Sequence, residues 1–234
     1  MKLHSFATTS ISEPEMRINY ILLIITLLVV SACNSKSDKK QAVKEPVASN
    51  SRSMKAATEQ DLAPFLLKNH MILDFKNGDL NNDNLTDVIL IQKAKDEEQT
   101  SSVTEHPTPR PVMLLLRQKD GSLKLAARND KLVYCVDCGG VFGDPYEGIS
   151  IKGNYFSIEH YGGSAWRWSK IITFRYDKAT KNWLLHKDGG VSYHSAEPET
   201  TTTTKVQTVK DFGIVKFTDY DIYKEWEEAE TNAE

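Results

Sequence analysis

The sequence predicts a mainly β fold: an antiparallel meander or sandwich, or a partial propeller-like sheet, entered through a short N-terminal helix. Residues 165–176, AWRWSKIITFRY, put Trp166, Trp168, Ile172, Phe174 and Tyr176 on one parity. Arg167, Ser169, Thr173 and Arg175 fall on the other. A period of two sustained over that length is a strand with one buried face. Lys170 interrupts the apolar set and marks its edge. The remaining apolar runs are short and separated by turn residues at roughly 8–12 positions, the rhythm of a sheet made of hairpins. No repeat of propeller length recurs, which argues against a closed propeller.

In chain order, the first element is a leader. Residues 20–32, YILLIITLLVVSA, are apolar but shorter than the roughly 20 residues a bilayer span needs. They match the apolar segment of a signal peptide, with small residues ahead of a cut. Met16 is expected as the true start, because Glu13 and Glu15 are odd company for a positively charged leader and Arg17 follows. The residues Val30, Ser31, Ala32 and Cys33 resemble the lipobox of bacterial lipoproteins. That resemblance implies a signal peptide over 1–32, cleavage before Cys33, and lipidation of Cys33. The competing reading, a buried apolar element with a core cysteine, fits poorly between a charged start and a polar tail. Each buried methylene contributes about 0.8 kcal/mol, so the two or three acyl chains implied would hold the protein on a membrane without spanning it. The location implied is the bacterial cell envelope, facing periplasm or exterior. Asn34 after the cysteine is not an aspartate, which by resemblance to enterobacterial sorting leaves the outer membrane open.

Residues 33–56 then read as the lipidated cysteine and a flexible tether, polar and lysine-rich with little to bury. Residues 57–220 read as one mainly β domain and 221–234 as an acidic tail, with a short helix carrying Tyr223 and Trp226. Within the domain, 57–69 forms a short helix limited by Pro64. Strands are expected at 88–92, at 112–117 and 122–127 around Lys119-Asp120-Gly121, and at 148–152 and 155–161 around Gly153-Asn154. Residues 177–182, DKATKN, turn the long strand back into another at 183–187. The stretch 99–111 reads as an exposed loop, 197–208 as a polar connector or edge strand, and 212–217 as a last strand.

Composition limits the function. Hydrophobic residues are 40% of the chain, enough for a core. The net charge of −3, without a basic stripe, argues against nucleic-acid binding.

Residues 77–91, NGDLNNDNLTDVILI, carry the sharpest chemical signal. Counted from Asp79, Asn81 stands third, Asp83 fifth and Asp87 ninth, with the backbone carbonyl of Leu85 seventh. That is the oxygen spacing of an EF-hand-type calcium loop, suited to a hard ion that takes six to eight oxygens. The sixth position needs a positive φ and holds Asn84, the residue most tolerant of it after glycine. The twelfth holds Leu90 where an EF-hand has glutamate, so this is no EF-hand. The pattern resembles the loops of FG-GAP and VCBS repeats, departing at Asn84, and the resemblance implies calcium bound within a β-hairpin. The alternative is an Asx-rich turn whose carboxylates cap amides. Three carboxylates without a cation repel one another, which favours calcium.

Cys135 and Cys138 sit in YCVDCGGVFGDPYEG. In an exported protein a structural disulfide is the simplest fate. A thiol oxidoreductase needs the pair at the start of a helix, which Gly139, Gly140, Gly143 and Pro145 oppose. A zinc site would need two further ligands. His160, Trp166 and Trp168 form a candidate ligand surface, for an envelope protein or a glycan, set against the plainer reading that they fill a core. The block CVDCGGVFGDPYEGISIKGNYFSIEHYGGSAWRW resembles an uncharacterised family of bacterial exported proteins and lipoproteins over residues 74–190, which implies no particular reaction.

The function expected is therefore that of a membrane-anchored envelope lipoprotein, whose calcium-stabilised β domain is a binding or structural module. The alternative is an envelope hydrolase with a site in the Gly-rich region 139–164, around Asp144, Glu147 and His160.

Overall fold

The computed structural model describes residues 55–224. The leader, Cys33, the tether up to residue 54 and the stretch 225–234 lie outside the described residues. Among the described residues no helix is long and apolar enough to cross a membrane.

Two antiparallel sheets make the fold. The first contains β1 (His70–Gly78), β2 (Asp87–Ala94), β3 (Val112–Arg117) and β4 (Leu123–Asn129). The second contains β5 (Tyr146–Lys152), β6 (Tyr155–Gly163), β7 (Trp166–Asp177), β8 (Asn182–His194) and β9 (Thr203–Thr208). In each, every strand pairs with the next in sequence, so both are meanders. The helices α1 (Glu59–Leu62), α2 (Glu97–Thr100), α3 (Pro198–Thr201) and α4 (Val209–Phe212) are single turns.

The apolar pattern explains how the sheets stack. The run Val88–Ile91 does not alternate, and all four residues are buried. Ile89 and Ile91, with Val112 and Leu114, face a core shared with Phe156, Ile158, Ile172 and Phe174 of the second sheet. Val88 and Leu90, with Met113 and Leu115, face the other way and are covered by Ala57 and Leu62. A strand buried on both faces loses its alternation. The covering segment is held by Gln92, which accepts from the Leu67 N–H at 2.8 Å and donates to the Phe65 carbonyl at 3.0 Å. Its helix α1 opens with a capping box, Thr58 and Asp61, and Pro64 sits in the following 3-10 turn.

The second sheet is covered on one side and alternates. On β7, Ile172 and Phe174 are buried while Ile171 and Arg175 are exposed. Lys170 shares the inner face and pairs with Asp188 at 3.2 Å. The β5–β6 turn uses Gly153 at φ 58, the left-handed conformation a two-residue hairpin loop requires.

Several elements depart from the sequence reading. The sequence analysis does not anticipate β1; a bulge between Ile72 and Asp74 shifts its register and breaks its period. Strand β8 continues through Gly189 and Gly190, well beyond residue 187. Residues 212–217 are not a strand. Helix α4 ends at Gly213, one bridge joins Leu184 to Lys216, and Phe217 packs edge-on to Phe156 and Phe174. The stretch 99–111 is not exposed throughout, because Arg110 is fully buried. Ile222 is buried and Tyr223 packs on the shared core, both within the stretch read as tail.

Candidate functional site

The β1–β2 connection is the acidic loop. Asp79, Asp83 and Asp87 converge so that one carboxylate oxygen from each lies within 4.8 Å of the others. The loop's own amides bring them together. Asp79 accepts from the N–H groups of Asn81, Asp83 and Asn84, and Asn81 Oδ1 accepts from that of Asp83 at 3.0 Å. Asp83 Oδ1 accepts from the Leu85 N–H at 2.8 Å. Asn84 has φ 66, as its sixth position demands, and Asn82 is also left-handed at φ 59.

Asp87 differs from the other two. It is fully buried at the start of β2, and its oxygens accept from the Leu80 N–H at 2.9 Å and the Arg117 N–H at 2.8 Å. Burial pushes its carboxyl up to about 6, and the charges of Asp83 and Asp79 add to that rise, against the two amide bonds. Among the described residues no salt bridge reaches any of these three aspartates. The loop is also tied to the second sheet. Leu80 is buried in the shared core, and its carbonyl accepts from the Trp183 indole N–H at 3.0 Å.

The Cys135 and Cys138 sulfurs stand at disulfide distance, 2.06 Å, with Cα atoms 5.1 Å apart. The pair lies in a turn rather than at a helix start, and both residues are buried. The Cys135 N–H donates to the Tyr223 hydroxyl at 2.9 Å. Burial pushes that phenol up to about 12.

Beside this turn is a network the sequence reading misses. The Arg110 guanidinium donates to both oxygens of Glu97 and both of Asp144 at 2.6–3.0 Å, and to the Tyr134 carbonyl at 3.2 Å. Burial alone would lower its pKa; the two carboxylates outweigh burial and hold it raised. Three separate connections therefore meet at one buried cation. The signal in the sequence is an arginine set among prolines, TPRP, directly before an apolar strand.

His160, Trp166 and Trp168 lie on one face of the second sheet but in different surroundings. His160 is buried, with Tyr134 ring-to-ring at 5.1 Å. Its Nε2 faces the Tyr134 N–H at 3.4 Å, and Nδ1 has no hydrogen-bond partner. Burial, with Lys170 and Arg110 nearby, pushes its pKa down to about 3. Asp144 is bound to Arg110, and Glu147 is exposed on β5. These three do not form an acid–base set: the imidazole's accepting nitrogen already faces a backbone donor. Trp166 is 55% exposed against His194. Trp168 is half-buried, edge-on to Tyr134, and walls a groove of 270 Å³ that also touches Lys170, Asp188 and Lys205.

The Gly-rich region is accounted for by close packing. A Cβ at Gly162 would stand 2.6 Å from the Trp168 ring, and one at Gly139 would stand 2.4 Å from the Gly143 carbonyl oxygen. Backbone bonds from Gly163 N to Gly139 O and from Val141 N to Gly163 O join the two stretches.

No family model, no curated protein and no solved structure matches this chain.

Proposed function

We propose that the protein is a lipoprotein of the bacterial cell envelope, anchored to a membrane through Cys33, whose β domain is stiffened by one calcium ion and serves as a binding or structural module. The ion would be held by Asp79, Asn81, Asp83 and Asp87 with the carbonyl of Leu85. The observation that carries the calcium reading is the convergence of three carboxylates, one fully buried, without an ion pair among the described residues. Repulsion among them favours a bound cation, and an all-oxygen set suits calcium. An ion there would brace the β1–β2 hairpin. Through Leu80 and the Trp183 indole it would also brace the junction between the sheets. A lone extracellular site of this kind binds at about 10⁻⁴–10⁻³ M.

Two measurements test this reading. Calcium at about a hundred times its dissociation constant should stabilise the fold by about 2.7 kcal/mol, seen as a raised melting temperature. Asp83→Ala should abolish the shift, and an unchanged shift in that variant removes the site. Separately, Cys33→Ser should move the protein from the membrane fraction to the soluble one; retention on membranes contradicts the anchor.

A further inference from the structure

The second sheet's inner face is only partly covered. At one end Phe156, Ile158, Ile172 and Phe174 lie under the shared core. At the other, Tyr134 and Trp168 wall the groove, and Gly189 and Gly190 of β8 leave its floor without side chains. A second concavity shares Lys170, Asp188 and Gln207 with this groove and extends to Lys224. Together they form one trough that begins at the last described residue and ends at Trp168.

The outgoing chain is fixed at the head of this trough. Ile222 is buried, and the Tyr223 ring stands edge-on to Tyr134 at 5.6 Å. Ten residues follow Lys224, EWEEAETNAE. They hold five glutamates, no lysine or arginine, and one large apolar side chain, Trp226. Two residues of extended chain reach about 7 Å, so Trp226 is confined near the place where Tyr223 meets Tyr134.

Charge gives the trough a direction. The second concavity carries Asp211, Asp219 and Asp221, which repel an acidic segment. In the groove, Lys170 is matched by Asp188, and Lys205 adds one positive charge on the edge strand β9. An acidic chain leaving Lys224 is thus driven past the aspartates toward Lys205, while its tryptophan meets the aromatic walls.

We propose that residues 225–234 occupy this groove, with Trp226 against Tyr134 and Trp168 and the glutamates toward Lys205. The chain's own end then closes its aromatic groove, and a ligand must displace it to enter. This rests on the groove and the tail sequence, not on the calcium loop.

The test uses the full chain in detergent. Subtracting the fluorescence of Trp226→Phe from that of the unaltered chain isolates Trp226, and acrylamide quenching reports its exposure. The expected result is quenching several-fold slower than in the free peptide EWEEAETNAE, with Lys205→Glu accelerating it toward the peptide rate. Quenching as fast as in the peptide overturns the proposal and leaves the groove to another occupant. Protection that survives Lys205→Glu also overturns it, by placing Trp226 elsewhere. Protection that disappears on dilution, together with a dimer in sedimentation, assigns the groove to a second copy and overturns it as well.

Discussion

At the scale of single residues, burial and charge decide more than residue type. His160 is held neutral inside the domain, with its pKa far below the ordinary value. The unfolded chain, with an ordinary imidazole near 6.5, then binds more protons than the folded one as pH falls below that value. Stability contributed by the neutral ring is therefore lost from about pH 6.5 downward. The rate is at most about 1.4 kcal/mol per pH unit. His160→Gln should flatten this acid slope between pH 6 and 4 in urea denaturation, and an unchanged slope contradicts the assignment. Asp87 has the opposite sign, since its raised pKa favours the folded state as pH falls. It is present in both proteins and cancels in the comparison. Asn84 was legible from position alone: the loop needed a left-handed residue, and φ there is 66. The surroundings of His160 were not, because parity gives the face of a strand and not what covers it.

At the scale of elements, the strands that alternate cleanly or stand between marked turns were readable. Strand β3 spans Val112–Arg117, the bounds its apolar run and the following Lys119-Asp120-Gly121 turn indicate. Strand β1 was hidden by its bulge, and β8 by the paired glycines at 189 and 190. The Arg110 network was hidden for another reason. Its members are 13 and 34 residues apart in sequence, and nothing local specifies that they meet. It joins α2, the approach to β3 and the approach to β5, so its loss should loosen several connections at once. Removing one member of a buried ion pair costs about 3–5 kcal/mol. Arg110→Met should fall toward the lower figure, because Asp144 keeps 36% of its side chain in solvent while Glu97 does not. Chemical denaturation checks it, and a loss under about 1 kcal/mol would mean that the network is only a surface-like pair.

At the scale of the whole molecule, two sheets, one shared core and an N-terminal cover make a domain braced at three places: the acidic loop, the disulfide turn and the Arg110 junction. The sequence conveyed the mainly β class through the period of β7 and the hairpin spacing. It did not convey how the sheets face each other, because the Leu80 carbonyl and the Trp183 indole that tie them are 103 residues apart. The export reading makes its own prediction here. Intact mass should rise by two protons on reduction, because Cys135 and Cys138 are bridged; an unchanged mass means free thiols and removes the oxidising compartment from the account. The most direct test of the central claim is a calorimetric titration of the chelator-stripped full chain with calcium. One ion per chain, binding at about 10⁻⁴–10⁻³ M in the unaltered protein and lost in Asp83→Ala, is the predicted result. No saturable binding up to tens of millimolar calcium would contradict it and leave the acidic loop as an empty turn.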